Sequence, residues 1–210
     1  MLVSVKEILS LYIKYNLILF LIVILLFMVG AIIGGFVVSG LSDDITSNLQ
    51  SYLDNFYHFV SEDQSLDYHQ VFLSSLGYHI TLLGIIWLLG ITMIGIPVLL
   101  LLVFLRGVAF GFTMVFLLQQ SSFQEVIMAM ISILPHNLLF IPSFFIISVA
   151  SISFSILLIK NQLRRKSIHL MPELINYTLL FVMIGVGFIA GSLIEAYISP
   201  TFMRIFLQYL

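Results

Sequence analysis

Long charge-free apolar stretches alternate with short polar intervals along this chain, and their lengths predict its elements. No charge lies between Lys14 and Asp43, which predicts a first span from about 17 to 38, the length that crosses about 30 Å of hydrocarbon as helix. Residues 68 to 105 are also charge-free but too long for one helix, and Gly95-Ile96-Pro97 supplies a breaker, giving spans of about 74–95 and 97–118. The stretch 126–159 exceeds one helix and falls short of two. Pro135 and Pro142 punctuate it into a helical piece at 123–134, an irregular segment at 135–141 and a span at 142–159. A fifth span covers 176–196. In the interval 41–73, Leu49, Tyr52, Leu53, Phe56, Phe59 and Val60 recur at helical spacing opposite polar residues, which predicts an amphipathic helix lying on the outer leaflet or packed on the protein's own outer face.

Composition agrees with a membrane solution, since 61% of the 210 residues are apolar and only 9% charged, far from the balance of a soluble domain. The expected fold is all-α: one polytopic membrane domain over 1–210, with five transmembrane helices, an extracytoplasmic amphipathic helix and a short interfacial or re-entrant helix within 123–141. The first apolar stretch is too long for a cleavable signal, so Met1 is expected to remain. Positive residues set sidedness. Lys6 and Lys14 precede span 1, and Lys160, Arg164, Arg165 and Lys166 fall in the interval 160–173, so five spans put both groups inside and leave only Arg204 outside. The N-terminus is then cytoplasmic and the C-terminus extracytoplasmic. The loop 41–73 carries six carboxylates and no lysine or arginine, as an external loop can. With no cysteine, disulfides and thiolate chemistry are excluded, and the net charge of −2 gives no sign of a nucleic-acid partner.

Three spans carry Gly-x-x-x-Gly: Gly30 with Gly34, Gly107 with Gly111, and Gly187 with Gly191. These are candidate packing seams within a five-helix bundle, with a homodimer through one of them as the alternative. Arg106 is the most informative single residue, because a charge inside a span marks either function or a specific partner. Counting rise along each helix places it about a helical diameter below Glu195, too far for a direct pair, with Ser148 and Ser151 nearer its level. His136 and Asn137 lie either beside Arg106, if 123–134 dips inward, or with His79 and Glu195 at the outer rim. His136 is a weak candidate metal ligand, lacking HExxH or a second histidine at i+4, and no cofactor is expected. No GxSxG, P-loop or intramembrane aspartate is present, so an enzyme is not expected. The Ile96-Pro97 and Ile141-Pro142 starts of oppositely directed spans leave a small permease or flippase-like transporter open, with an intramembrane enzyme behind it.

The ordered set GIPVLLLLVFLRGVAFGF (95–112), ILPHNLLFIPSFF (133–145), KNQLRRKS (160–167) and SLIEAYISP (192–200) resembles the stage II sporulation protein M family of endospore-forming bacteria. The resemblance covers roughly 15–203 and implies a non-enzymatic membrane anchor of the engulfment machinery in the mother-cell septal membrane. Its implied partners are the peptidoglycan-degrading stage II sporulation proteins D and P. The resemblance carries no catalytic residues, and its members often have lysine where this chain has Arg106. On that reading the wall-facing side binds the partners, and Leu53 and Phe56 of the external helix are candidate contact residues.

Overall fold

The computed structural model describes residues 12–61, 68–92, 94–120, 123–164 and 170–198. They are helical nearly throughout, with no strand among them. After a helical turn at 12–15 come α1 (Leu17–Ser39), α2 (Asp43–Ser61), α3 (Tyr68–Ile91), α4 (Gly95–Gln120), α5 (Phe123–Arg164) and α6 (Leu170–Leu193), followed by a π-helical turn, Ile194–Ile198. Five of these helices, all but α2, are long and apolar enough to cross a membrane.

The spans are apolar on all faces, which is the pattern of helices solvated by lipid outside and by protein inside. In α1 the buried stripe is Phe20, Val23, Phe27, Gly30, Gly34 and Val38, spaced three or four residues apart. Ile18, Leu25, Ile32 and Phe36 of the same helix point outward and are exposed. The bundle core gathers Val23, Ile86, Leu99, Val103, Phe144 and Ile147 from four helices.

Glycine decides how α1 meets α4. A Cβ on Gly30 would fall on the Phe104 carbonyl oxygen, one on Gly34 on that of Val108, one on Gly107 on that of Phe27, and one on Gly111 on that of Ala31. The two Gly-x-x-x-Gly pairs therefore face each other, backbone against backbone, close enough for Cα–H···O contacts. The third pair behaves differently. Gly191 is buried, but Gly187 is exposed and nothing lies within 4 Å of an added Cβ. As a packing seam inside the bundle, the Gly187 expectation is corrected.

Serines join α5 to the end of α3. The last carbonyls of a helix lack intrahelical donors. Ser155 Oγ donates to Gly90 O (2.7 Å) and lies 3.2 Å from Thr92 O, while Ser151 Oγ donates to Ile86 O (3.2 Å). From α6, Tyr177 Oη donates to Trp87 O (3.0 Å) and lies 3.0 Å from Ser151 Oγ. Gly90 leaves room for that phenol, since a Cβ there would fall on the Tyr177 hydroxyl.

Two expectations need revision. The irregular segment at 135–141 does not exist: α5 runs unbroken for 42 residues through Pro135 and Pro142. Each proline removes one helical donor, but an irregular stretch within lipid would strand several more backbone groups, each costing several kcal/mol. The expected boundaries also shift, since α3 begins at Tyr68 and ends at Ile91, with three residues between it and Gly95, which opens α4. Pro97 sits in the first turn of α4, where no donor is needed.

The amphipathic helix forms as α2, but it stands apart: among the described residues it makes no extended packing contact with another element. The described residues of α2 thus share no seam with the bundle of the kind that joins α1 to α4. Ile45 and Tyr52 are exposed and Leu49 and Leu53 are half-buried, while the side chain of Phe56 lies outside the described residues.

Candidate functional site

Ser75, Tyr78 and His79 follow one another on α3 at i, i+3 and i+4, so they project from adjacent positions of one helical turn. His79 continues the buried stripe of Leu82, Ile86 and Gly90 and is itself only 3% exposed. Tyr78 turns the other way, toward α4.

Arg106 comes from the middle of α4. Its Nη2 donates to the Tyr78 hydroxyl, and its guanidinium carbon sits 5.1 Å from the centroid of the Tyr78 ring and 5.0 Å from that of Phe140 on α5. The charge is thus held by one hydroxyl and two ring faces, an arrangement that suits a guanidinium away from bulk water. Among the described residues no carboxylate lies within ion-pairing distance of it. Its partner is not Ser148 or Ser151, the hydroxyls nearest its level by residue count. Ser151 is engaged with Ile86 and Tyr177, as described above, and Ser148 is buried without a hydrogen-bond partner.

Glu195 arrives from the π-helical turn that ends the last span. An extra residue in the turn re-aims side chains, and such turns are frequent at functional sites. Glu195 Oε2 accepts a hydrogen bond from Ser75 Oγ (2.5 Å) and lies 3.6 Å from His79 Nε2. The His79 ring packs between Phe140 (5.1 Å between centroids) and Phe188 (5.4 Å). Tyr68 of α3 and Tyr197 of the π-helical turn stack on each other with 5.7 Å between centroids. Arg106 and Glu195 therefore do not pair. They are tied to neighbouring residues, Tyr78 and His79, and Phe140 touches both the arginine and the histidine.

Asn137 joins this array. With Arg106 and Thr113 it borders a cavity of about 170 Å³ whose remaining walls are Phe27, Phe110, Phe140 and Phe144 among other apolar residues. The side chain of His136 lies outside the described residues, though its backbone belongs to α5, one turn before Phe140. The array is thus an intramembrane polar strip, Asn137, Arg106, Tyr78, His79, Glu195 and Ser75, walled by phenylalanines. It can hold one cation and one carboxylate at fixed positions. Among the described residues no three His, Cys, Asp or Glu side chains gather as a metal site.

Sequence reasoning picked out Arg106, Asn137 and Glu195 but missed Tyr78 and Ser75. The signal was present in the three polar residues at i, i+3 and i+4 within a charge-free stretch.

No curated protein and no solved structure matches the chain. The family model for stage II sporulation protein M matches residues 23–200, which include the glycine crossing, Arg106, both α5 prolines and the π-helical turn. By that match over most of its length, and by its five apolar spans, this chain is a multi-pass membrane protein related to sporulation and belongs to the stage II sporulation protein M family.

Proposed function

We propose that the protein is a non-enzymatic membrane anchor that recruits peptidoglycan-degrading enzymes, stage II sporulation proteins D and P, to the septal membrane of the mother cell during engulfment. The observation that carries this reading is α2. Among the described residues its apolar positions Ile45, Leu49, Tyr52 and Leu53 are not absorbed by the bundle, and its charge is acidic, with Asp43, Asp44 and Asp54 and no lysine or arginine. A helix of this kind, outside the membrane on the wall-facing side by the distribution of lysine and arginine, offers a partner both apolar area and charge. The polar array itself is too small to hold a small-molecule substrate. Its cavity of about 170 Å³ is smaller than small-molecule sites, which run to about 300–1,000 Å³.

Affinity purification of the tagged chain from sporulating cells should recover both hydrolases at the septal stage. Recovery of neither, together with solute or lipid flux in proteoliposomes, would replace the anchor with a transporter.

A further inference from the structure

A larger cavity than the one at the polar array lies elsewhere among the described residues. It lies at the opposite end of the bundle, between the start of α1, the last turns of α5 and the first turns of α6, and measures about 850 Å³. Its lining changes character with depth. Leu19, Ala150 and Leu180 form an apolar floor, while Lys14, Lys160 and Glu173 stand on the rim. The wall at the α1 end is fixed: Ser153 Oγ donates to Asn16 Oδ1 (3.2 Å) and Asn16 Nδ2 to Tyr12 O (3.1 Å), which ties the first turn to α5. Among the described residues, neither lysine has a carboxylate within ion-pairing distance.

Depth locates this rim relative to the bilayer. Arg106 lies near the middle of α4, level with Phe140, and its neighbour Gly107 meets Phe27 of α1. At about 1.5 Å per residue, the floor residues Leu19, Ala150 and Leu180 lie roughly 12–15 Å from that level. Lys14 and Glu173 lie about 20 Å from it and Lys160 about 30 Å by the same count. Half of the hydrocarbon core is about 15 Å. The headgroup region ends about 20–22 Å from the midplane, so the floor sits at acyl-chain depth and Lys14 and Glu173 at headgroup depth, while Lys160, roughly 8 Å farther out, meets the headgroup by extending its side chain back along the cavity wall.

We infer that this cavity is a binding site for one anionic glycerophospholipid, its phosphate between Lys14 and Lys160 and its acyl chains on the apolar floor. Two cations against one carboxylate leave the rim net positive, which selects an anionic over a zwitterionic headgroup. Glu173 accepts hydrogen bonds from hydroxyl groups of the headgroup, as a glycerol headgroup would provide. Burial pushes the Tyr12 phenol up to about 12, so near neutral pH it keeps its proton and can donate to a phosphate oxygen. The site uses only the membrane embedding of the chain and is independent of which proteins it anchors.

The experiment is native mass spectrometry of the full chain in detergent, titrated with phosphatidylglycerol or phosphatidylcholine. Wild type should retain phosphatidylglycerol preferentially, as a single bound lipid. Lys14→Gln and Lys160→Gln should each weaken retention about five-fold, the size of one lysine's attraction at an anionic surface. The decisive variant combines Lys160→Gln with Gln162→Lys. It keeps the net charge and moves the cation to an exposed position off the cavity wall. The inference requires that this variant bind as weakly as Lys160→Gln alone. Restoration of wild-type retention would show unspecific surface charge, equal retention of phosphatidylcholine would show an unselective apolar groove, and unchanged binding in both lysine variants would remove the site.

Discussion

Arg106 poses a question that magnitudes can decide. A charge near the middle of a spanning helix costs about 2.5–3.5 kcal/mol on insertion scales. Its hydrogen bond to Tyr78 returns roughly 1.5–3 kcal/mol, and the two ring contacts about 0.5–2 kcal/mol more. These terms nearly cancel, so the arginine does little for net stability. Arg106→Leu is therefore expected to leave the thermal midpoint in detergent near the wild-type value while engulfment fails, and Arg106→Lys is expected to retain much of the function by keeping the charge. Tyr78→Phe should act in the opposite sense. It leaves the cation in place without its hydroxyl acceptor, at a cost of about 1–3 kcal/mol, and should lower the midpoint more than Arg106→Leu does. If Arg106→Leu proves the less stable of the two, the residue is a structural clamp and the functional assignment of the strip is lost.

At the scale of elements, the crossing of α1 and α4 is the most constrained contact in the protein. Substitution of Gly34 or Gly111 by leucine drives a side chain into the carbonyl of Val108 or Ala31, and neither helix can move away without losing the rest of the seam. Overpacking of this kind costs about 1–3 kcal/mol or more. Either variant should accumulate poorly and unfold at lower temperature, whereas Gly187→Leu, facing open space, should behave as wild type. Equal damage from Gly187→Leu would mean that α6 carries a contact outside the single chain, such as a second copy. The glycine pairs also show what a sequence can and cannot disclose. Spacing alone identified all three, because Gly-x-x-x-Gly is a local property, but it could not say that two of them face each other while Gly187 faces outward, because that depends on helix rotation. Span number was legible from charge-free lengths for the same local reason. The continuity of α5 through Pro135 and Pro142 was not, because the proline rules derive from water, where an unpaired carbonyl finds a partner, and lipid removes that alternative. Tyr78 escaped attention because its role exists only once α3 and α4 lie antiparallel.

For the whole molecule, the proposed anchor has two candidate docking surfaces that differ in kind. One is α2, which is acidic and among the described residues makes no extended packing contact with the bundle. The other is the outward face of α6, where Gly187, with Val186 and Ile189 beside it, leaves a shallow place for another membrane helix to approach. Sidedness enters first. Single cysteines in this cysteine-free chain at Asn48 and at Gln162 should react differently with an impermeant thiol reagent in intact cells, the first labelled and the second protected. The reverse pattern would put α2 inside and remove it as a wall-facing surface. With α2 outside, the comparison is between Ile45→Ser with Leu53→Ser, which strips apolar area from the detached helix, and Gly187→Leu, which fills the notch on α6. Both sets of positions lie away from the bundle's buried stripes, so loss of binding would not be confused with loss of the fold. Each variant is scored by co-purification of the two hydrolases and by their septal localisation at matched protein levels. The anchor proposed above requires that the α2 pair lose both partners and that Gly187→Leu keep them, because enzymes that cut the wall approach from outside the membrane. Loss confined to Gly187→Leu would instead mean that the partners bind through membrane segments of their own, with α6 as the recognition surface and α2 free for some other contact.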